Sequence, residues 1–212
     1  ALRASFAVIP ALALAAALTG RPVVAITENG APRAPKAVAF YNPPLVDPVQ
    51  GIRRSSADES MSLAAKLLAS GTRTILFARS RLRVEILASY LNKRFENVYN
   101  DNNRIRVEPY RSGLLPNERR QIERGLRDGT IHGVVSTNAL ELGIDIGGLD
   151  AAVIAGWPGN LASFWQQAGR AGRRSGASMA VYVASSSPVD QYMLEHPERC
   201  FGAGAENARI DP

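Results

Sequence analysis

Lysine is scarce in this chain. Only three of the 25 basic residues are lysine (Lys36, Lys66 and Lys93), so arginine carries most of the net charge of +6 and the pI near 9.9. That balance favours a polyanionic partner. The arginine bias fits phosphate recognition, and a GC-rich genome accounts for it more simply. Cysteine is nearly absent. The single Cys200 excludes an internal disulfide and a multi-cysteine zinc site. His132 and His196 lie far apart in the chain, and His132 reads as a structural residue at a strand start. No apolar run reaches the 18 or so residues of a membrane span. The longest, Phe6 to Leu18, has the length of a signal-peptide core. Its alternative reading is the tail of a preceding domain entered mid-chain. No G-x-x-x-x-G-K-[ST] loop occurs, and no Asp-Glu-x-His or Asp-Glu-Ala-Asp sequence.

What is present is an alternation of strand and helix from Thr74 onward, which implies a parallel sheet covered on both faces. Strands are expected at Thr74 to Ala78, Ile105 to Pro109, His132 to Ser136, Ala151 to Ala155 and Met179 to Ala184. Helices are expected at Ser80 to Phe95, Pro116 to Arg127, Leu161 to Gln167 and Pro188 to Glu195. Upstream, Asp58 to Ser70 has helical spacing with Ser55 or Ser56 as its cap. The proline-rich stretch Arg21 to Pro48 reads as linker with one strand, Ala37 to Tyr41. The fold class is therefore α/β, and 212 residues suffice for one well-cored domain with additions.

Polar segments follow the strands at once: Arg79-Ser80, Arg111-Ser112-Gly113, Thr137-Asn138 and Gly156-Trp157-Pro158. Ligands of open parallel sheets bind at the carboxyl ends of strands. Hydroxyls and helix-start amides there suit phosphate oxygens, while Ser80 and Thr137 serve equally well as ordinary helix caps. Arg119 and Arg120 read as a solvated face paired with Glu118 and Glu123, and Glu141 as a surface charge. Trp157 and Trp165 offer rings for base stacking, with packing the commoner use.

The stretch Gln166-Gln167-Ala168-Gly169-Arg170-Ala171-Gly172-Arg173-Arg174 sets three arginines among two glycines. A continuous helix here puts Gln166, Arg170 and Arg173 on one stripe and turns Phe164, Ala168 and Ala171 inward. Two helical glycines cost about 1 kcal/mol each against alanine. Close approach of another backbone or of a phosphate explains them better. Two guanidiniums on one side suit a polyphosphate.

Gln166-x-x-Gly169-Arg170-x-Gly172-Arg173 resembles motif VI of superfamily 2 helicases. Ser136 to Asp145, STNALELGID, resembles their motif V, and Thr74 to Arg81, TILFARSR, their motif IV. The wording is most similar to the YprA-like, or mitomycin repair factor A, branch, over roughly Ala37 to Phe201. The resemblance implies a RecA-like parallel sheet with helices on both faces. It implies that 1–36 is the tail of a preceding domain plus linker, 37–200 the helicase C-terminal domain, and 201–212 a linker to a downstream region.

By the same resemblance, Arg170 and Arg173 are arginine fingers, with Gln166 beside them. Gly143 and Asp145 face the nucleotide. Arg79, Ser80, Ser112, Gly113, Thr137 and Asn138 grip the single-stranded DNA backbone. ATP and Mg2+ are held mainly by an N-terminal RecA-like domain of the same polypeptide, which makes the isolated chain inactive. The implied setting is 3′-to-5′ movement in DNA repair, in the cytoplasm at a bacterial nucleoid. Two other classes stay open. A nucleic-acid-binding module without ATPase coupling predicts that the arginines affect binding alone. A metabolic nucleotide-binding protein predicts a glycine-rich fingerprint after the first strand, which Phe77 to Arg81 does not provide.

Overall fold

The computed structural model describes residues 8–24, 35–96, 104–141, 149–172 and 176–202. Six strands form one parallel sheet: β1 (Lys36–Tyr41), β4 (Thr74–Phe77), β5 (Val107–Tyr110), β6 (Gly133–Ser136), β7 (Ala151–Ala155) and β8 (Ser178–Val183). Their order is β1-β8-β7-β4-β6-β5. β4 and β6 are buried at every residue, because helices cover both faces. Such strands read as unbroken apolar runs without alternation.

On one face α2 (Ser56–Ala69) and α3 (Arg81–Glu96) pack Leu68, Val84, Leu87 and Leu91 against Leu76, Val135 and Val153. On the other, α4 (Pro116–Asp128), α5 (Leu161–Ala168) and α6 (Pro188–Glu195) bring Leu126, Phe164 and Met193 to Ile75, Ile154 and Tyr182. Each fully buried side chain of this size contributes about 1.5 to 3 kcal/mol. Ser55 caps α2 by accepting from Asp58 N, and Gly129 ends α4 in the left-handed conformation, φ 79°.

Three features depart from the sequence expectation. A small antiparallel pair, β2 (Leu45–Asp47) with β3 (Ile52–Arg53), starts at the end of the proline-rich linker and runs past it. Prolines flank short edge strands without harm, and Asp47 Oδ1 accepts from the amides of Val49 and Gln50 to close the turn. A short helix, α7 (Glu198–Gly202), follows α6, and the Phe201 ring meets Phe40 and Trp165 edge-on at 6.1 and 5.5 Å. The apolar N-terminal run forms α1 (Val8–Thr19), which at 1.5 Å per residue is too short for a bilayer. No helix among the described residues is long and apolar enough to cross a membrane.

The β5 edge of the sheet is closed to further pairing. Asn92 accepts from Val107 N at 3.0 Å and donates to Val107 O at 2.7 Å, so its amide stands where a neighbouring strand would. Pro109, the next outward-facing position, has no N–H to offer.

Candidate nucleic-acid and nucleotide interface

The parallel register aligns one row across the sheet: Phe40, Tyr182, Ile154, Phe77, Ser136 and Tyr110. Two residues further along the chain, past the strand ends, come Asn42, Ala184, Gly156, Arg79, Asn138 and Ser112. Arg79, Asn138 and Ser112 thus follow the adjacent strands β4, β6 and β5 at their carboxyl ends. The sheet therefore brings the three expected strand-gripping loops together. A cavity of about 150 Å³ opens between the ends of β4 and β7, with Arg79, Asn138, Glu141, Gly156 and Gln167 in its wall. It lies at the switch in topology, where β4 leads into α3 on one face and β7 into α5 on the other.

Capping and gripping prove compatible at this edge. Ser80 Oγ accepts from Arg83 N at 3.2 Å, and Thr137 Oγ1 accepts from Ala139 N at 3.3 Å. A cap uses a lone pair of the hydroxyl oxygen and leaves its hydrogen to donate. Ser112 and Gly113 form an exposed turn, with Gly113 at φ 100°. Arg111 beside them is fixed by Glu85, Nε to Oε1 at 2.6 Å. Arg79 is half-exposed, donates from Nη2 to the Trp157 carbonyl, and lies 3.5 Å from the carboxylate of buried Asp190.

The arginine segment departs from a continuous helix. α5 stops at Ala168, Gly169 remains near helical at φ −67°, and Ala171 bridges to Leu149 beside the sheet. The continuous helix expected to carry Gln166 and Arg170 on one stripe thus ends before Arg170. The inward set holds: Phe164, Ala168 and Ala171 are all buried. The glycines answer to close approach. Gly172 sits at φ 89°, and a Cβ there would lie 2.3 Å from Ser178 Oγ; one on Gly169 would lie 2.8 Å from the Trp165 carbonyl. Lys36 Nζ donates to Ala168 O at 2.8 Å, satisfying a carbonyl at the end of α5. Burial lowers the Lys36 pKa.

Gln166 is half-buried on α5. Arg170 is buried, 5 % exposed, and its guanidinium donates to the backbone carbonyl of Glu141. Gly143, Asp145 and Arg173 lie outside the described residues.

Glu141 corrects the expectation of a surface charge. It follows the 3₁₀ turn Asn138–Leu140, is 8 % exposed, and accepts from Gln167 Nε2 at 2.5 Å and from Ser163 Oγ at 3.0 Å. Together with the Arg170 contact, it ties the turn after β6 to the whole of α5 and its exit. Its flanking leucines, Leu140 and Leu142, were the available sign of an inward position. Asp190 was also missed. Ser187-x-x-Asp190 reads as an ordinary helix start, and nothing local shows the carboxylate turning away from its own helix. Trp157 stacks on Phe164 at 5.6 Å, and Trp165 donates from Nε1 to Cys200 O, so both indoles are engaged in packing. Among the described residues no group of three His, Cys, Asp or Glu gathers to hold a metal ion.

A family model described as the helicase conserved C-terminal domain matches residues 59–175. The chain is 52 % identical over 195 residues to the ATP-dependent helicase YprA of Bacillus subtilis, spanning 92 % of this chain and 26 % of that protein. It is 41 % identical over 176 residues to the ATP-dependent helicase HRQ1 of Saccharomyces cerevisiae, 83 % of this chain and 16 % of that one. A crystal structure of the DUF1998 helicase MrfA bound to DNA superposes with a TM-score of 0.87 at 50 % identity, covering 95 % of this chain and 26 % of that one. The chain thus spans about a quarter or less of the length of these relatives.

Proposed function

This chain belongs to the C-terminal, RecA-like domains of superfamily 2 helicases, in the YprA-like branch, and from that premise we propose that it is the second motor domain of an ATP-dependent DNA helicase. ATP and Mg2+ are held mainly by an N-terminal RecA-like domain of the same polypeptide, because no phosphate loop and no Asp-Glu-x-His or Asp-Glu-Ala-Asp sequence occurs here. Arg170 and Arg173, with Gln166 beside them, stabilise the charge that spreads over the γ-phosphate oxygens as the bond breaks. Gly143 and Asp145 face the nucleotide. Arg79, Ser80, Ser112, Gly113, Thr137 and Asn138 hold successive phosphates of the single strand without reading bases. Closure on ATP and opening after hydrolysis move these loops relative to the first domain, giving stepwise 3′-to-5′ translocation, with DNA repair in the cytoplasm as the setting.

The observation that carries this reading is the Glu141 link. A carboxylate and carbonyl from the strand-gripping turn hold Gln167 and Arg170 of the arginine segment, so a displacement on the nucleotide side reaches the DNA side through one buried residue. An autonomous binding module has no need of that connection. The test is Arg173→Ala in the full-length enzyme. ATP turnover should fall by roughly 10³ to 10⁵, as for loss of an arginine finger. Affinity for single-stranded DNA without nucleotide should stay near the parent value. Lysine should not restore turnover, since it lacks the planar fork. A folded variant with near-normal turnover and lost DNA affinity makes the segment a DNA patch and returns the binding-module reading.

A further inference from the structure

Asp190 sits at the third position of α6 and has no solvent exposure. Its own amide is taken by Ser187 Oγ, and its carboxylate turns away from the helix. Oδ1 accepts from Trp157 N at 3.0 Å and lies 3.5 Å from Arg79 Nη2; Oδ2 accepts from Ser185 N at 2.7 Å. One buried carboxylate thus gathers the loops that leave β4, β7 and β8. A carboxylate is expensive to bury unless it is paired and hydrogen-bonded, and here both conditions are met.

The pair is covered on one side only. The Arg79 side chain is 55 % exposed and stands in the edge row with Asn138 and Ser112. Its Nη2 is held at two points, the Asp190 carboxylate and the Trp157 carbonyl. Gly156 makes room for the approach: it adopts φ 81°, and a Cβ there would lie 3.3 Å from Asp190 Oδ2 and 3.4 Å from Arg79 Nε. An arginine anchored at one end of its fork has less freedom to lose when the rest of the fork meets an anion.

We propose that Asp190 is the positioning residue for strand binding, fixing the Arg79 guanidinium from below so that its outward N–H groups meet a backbone phosphate of single-stranded DNA. This rests on the reading of Arg79 as a strand-gripping residue. It adds a residue outside the segments that resemble helicase motifs, acting through Arg79 and not on the DNA itself.

The experiment measures binding of a fluorescent mixed-sequence single-stranded oligonucleotide to the full-length protein across a salt series. Asp190→Asn should weaken binding about 10- to 100-fold, the range for one charged hydrogen-bonded contact. It should also flatten the log–log salt slope by about 0.7, one phosphate's worth. Arg79→Ala should do the same, and the double variant should be no weaker than either. If Arg79→Ala weakens binding and Asp190→Asn does not, or if the two effects add, the positioning role is overturned while the strand-gripping reading stands. If Arg79→Ala itself leaves affinity and slope unchanged, both fall. Should Asp190→Asn not fold, Arg79→Lys decides: it keeps the charge but cannot span the Trp157 carbonyl and Asp190 while facing outward. Loss matching Arg79→Ala supports the proposal, and a lysine variant with parent affinity and slope overturns it.

Discussion

Gly172→Ala is the most direct trial of the reasoning about the arginine segment. Gly172 holds φ 89° and donates from N to Leu149 O at 2.8 Å, so its backbone is pinned beside the sheet and has little freedom to relax. Two costs follow from adding one methyl. A left-handed conformation costs an L-residue about 1 to 2 kcal/mol. The new Cβ would also stand 2.3 Å from Ser178 Oγ and 2.8 Å from Ser178 Cβ. The hydroxyl can rotate away; the Cβ, fixed to strand β8, cannot. Overpacking of that kind costs about 1 to 3 kcal/mol.

The sum, about 2 to 5 kcal/mol, corresponds to a fall of about 4 to 20 °C in the transition of a domain this size. Calorimetry on the full-length protein reads it. The second variant separates the terms. Ser178→Gly removes both clashing atoms, so the double variant Gly172→Ala/Ser178→Gly should recover the overlap and retain only the backbone cost. A fall of less than about 1 °C in Gly172→Ala, or full additivity with Ser178→Gly, would falsify the close-approach account of this glycine.

Three further outcomes follow from the same geometry. Glu141→Ala should cost about 1 to 3 kcal/mol by leaving the buried Gln167 amide without its acceptor, whereas Glu141→Gln should recover most of that, because the Ser163 hydroxyl can reverse and accept; equal melting points for the two variants would count against the network. Cys200 is 2 % exposed, and burial pushes its thiol up to about 11, so iodoacetamide at pH 8 should leave it unmodified until the protein is unfolded, and rapid native labelling would contradict that packing. For Asp190, burial acts to raise the pKa, but hydrogen bonds from Ser185 and Trp157 and the Arg79 charge outweigh it and hold the group below its ordinary 3.8. A depressed folded-state pKa contributes stability that is complete above about pH 4 and lost as pH falls through the folded value, so the parent and Asp190→Asn should converge in stability under acid titration below that point; a constant gap down to pH 2 would reject the assignment.

The sheet was legible because its strands are covered on both faces. TILF, GVVS and AAVIA are short apolar runs bounded by turn residues, and physics leaves such runs few places other than the middle of a two-sided sheet. Boundaries slipped at the ends of elements. Ser80 was expected to open α3 but caps it instead, so the helix begins at Arg81, and β5 runs from Val107 to Tyr110 where Ile105 to Pro109 was expected. The β2–β3 pair was hidden for the opposite reason, since prolines that flank an edge strand look the same as prolines in a linker.

The arginine segment was legible in its glycines and its inward alanines but not in its path. Whether a helix continues through Gly169 to Gly172 depends on Leu149 and Ser178, which approach from elsewhere in the chain. The same logic explains why the donors proposed for the site were legible and the groups that hold them were not. Arg79 and Arg170 announce themselves by charge and by standing just beyond a strand or a helix. Glu141 and Asp190 sit among ordinary turn and cap residues, and matter only because the fold brings each beneath an arginine. A guanidinium can hold a phosphate in place only if something holds the guanidinium. In this domain that task falls to a buried carboxylate at Arg79 and to a backbone carbonyl at Arg170, supplied by the segments that follow β8 and β6. Fixing the arginines and fixing the loops are therefore a single act of packing. A change at Glu141 or Asp190 should accordingly disturb the arginine it holds and the packing of the loops around it together.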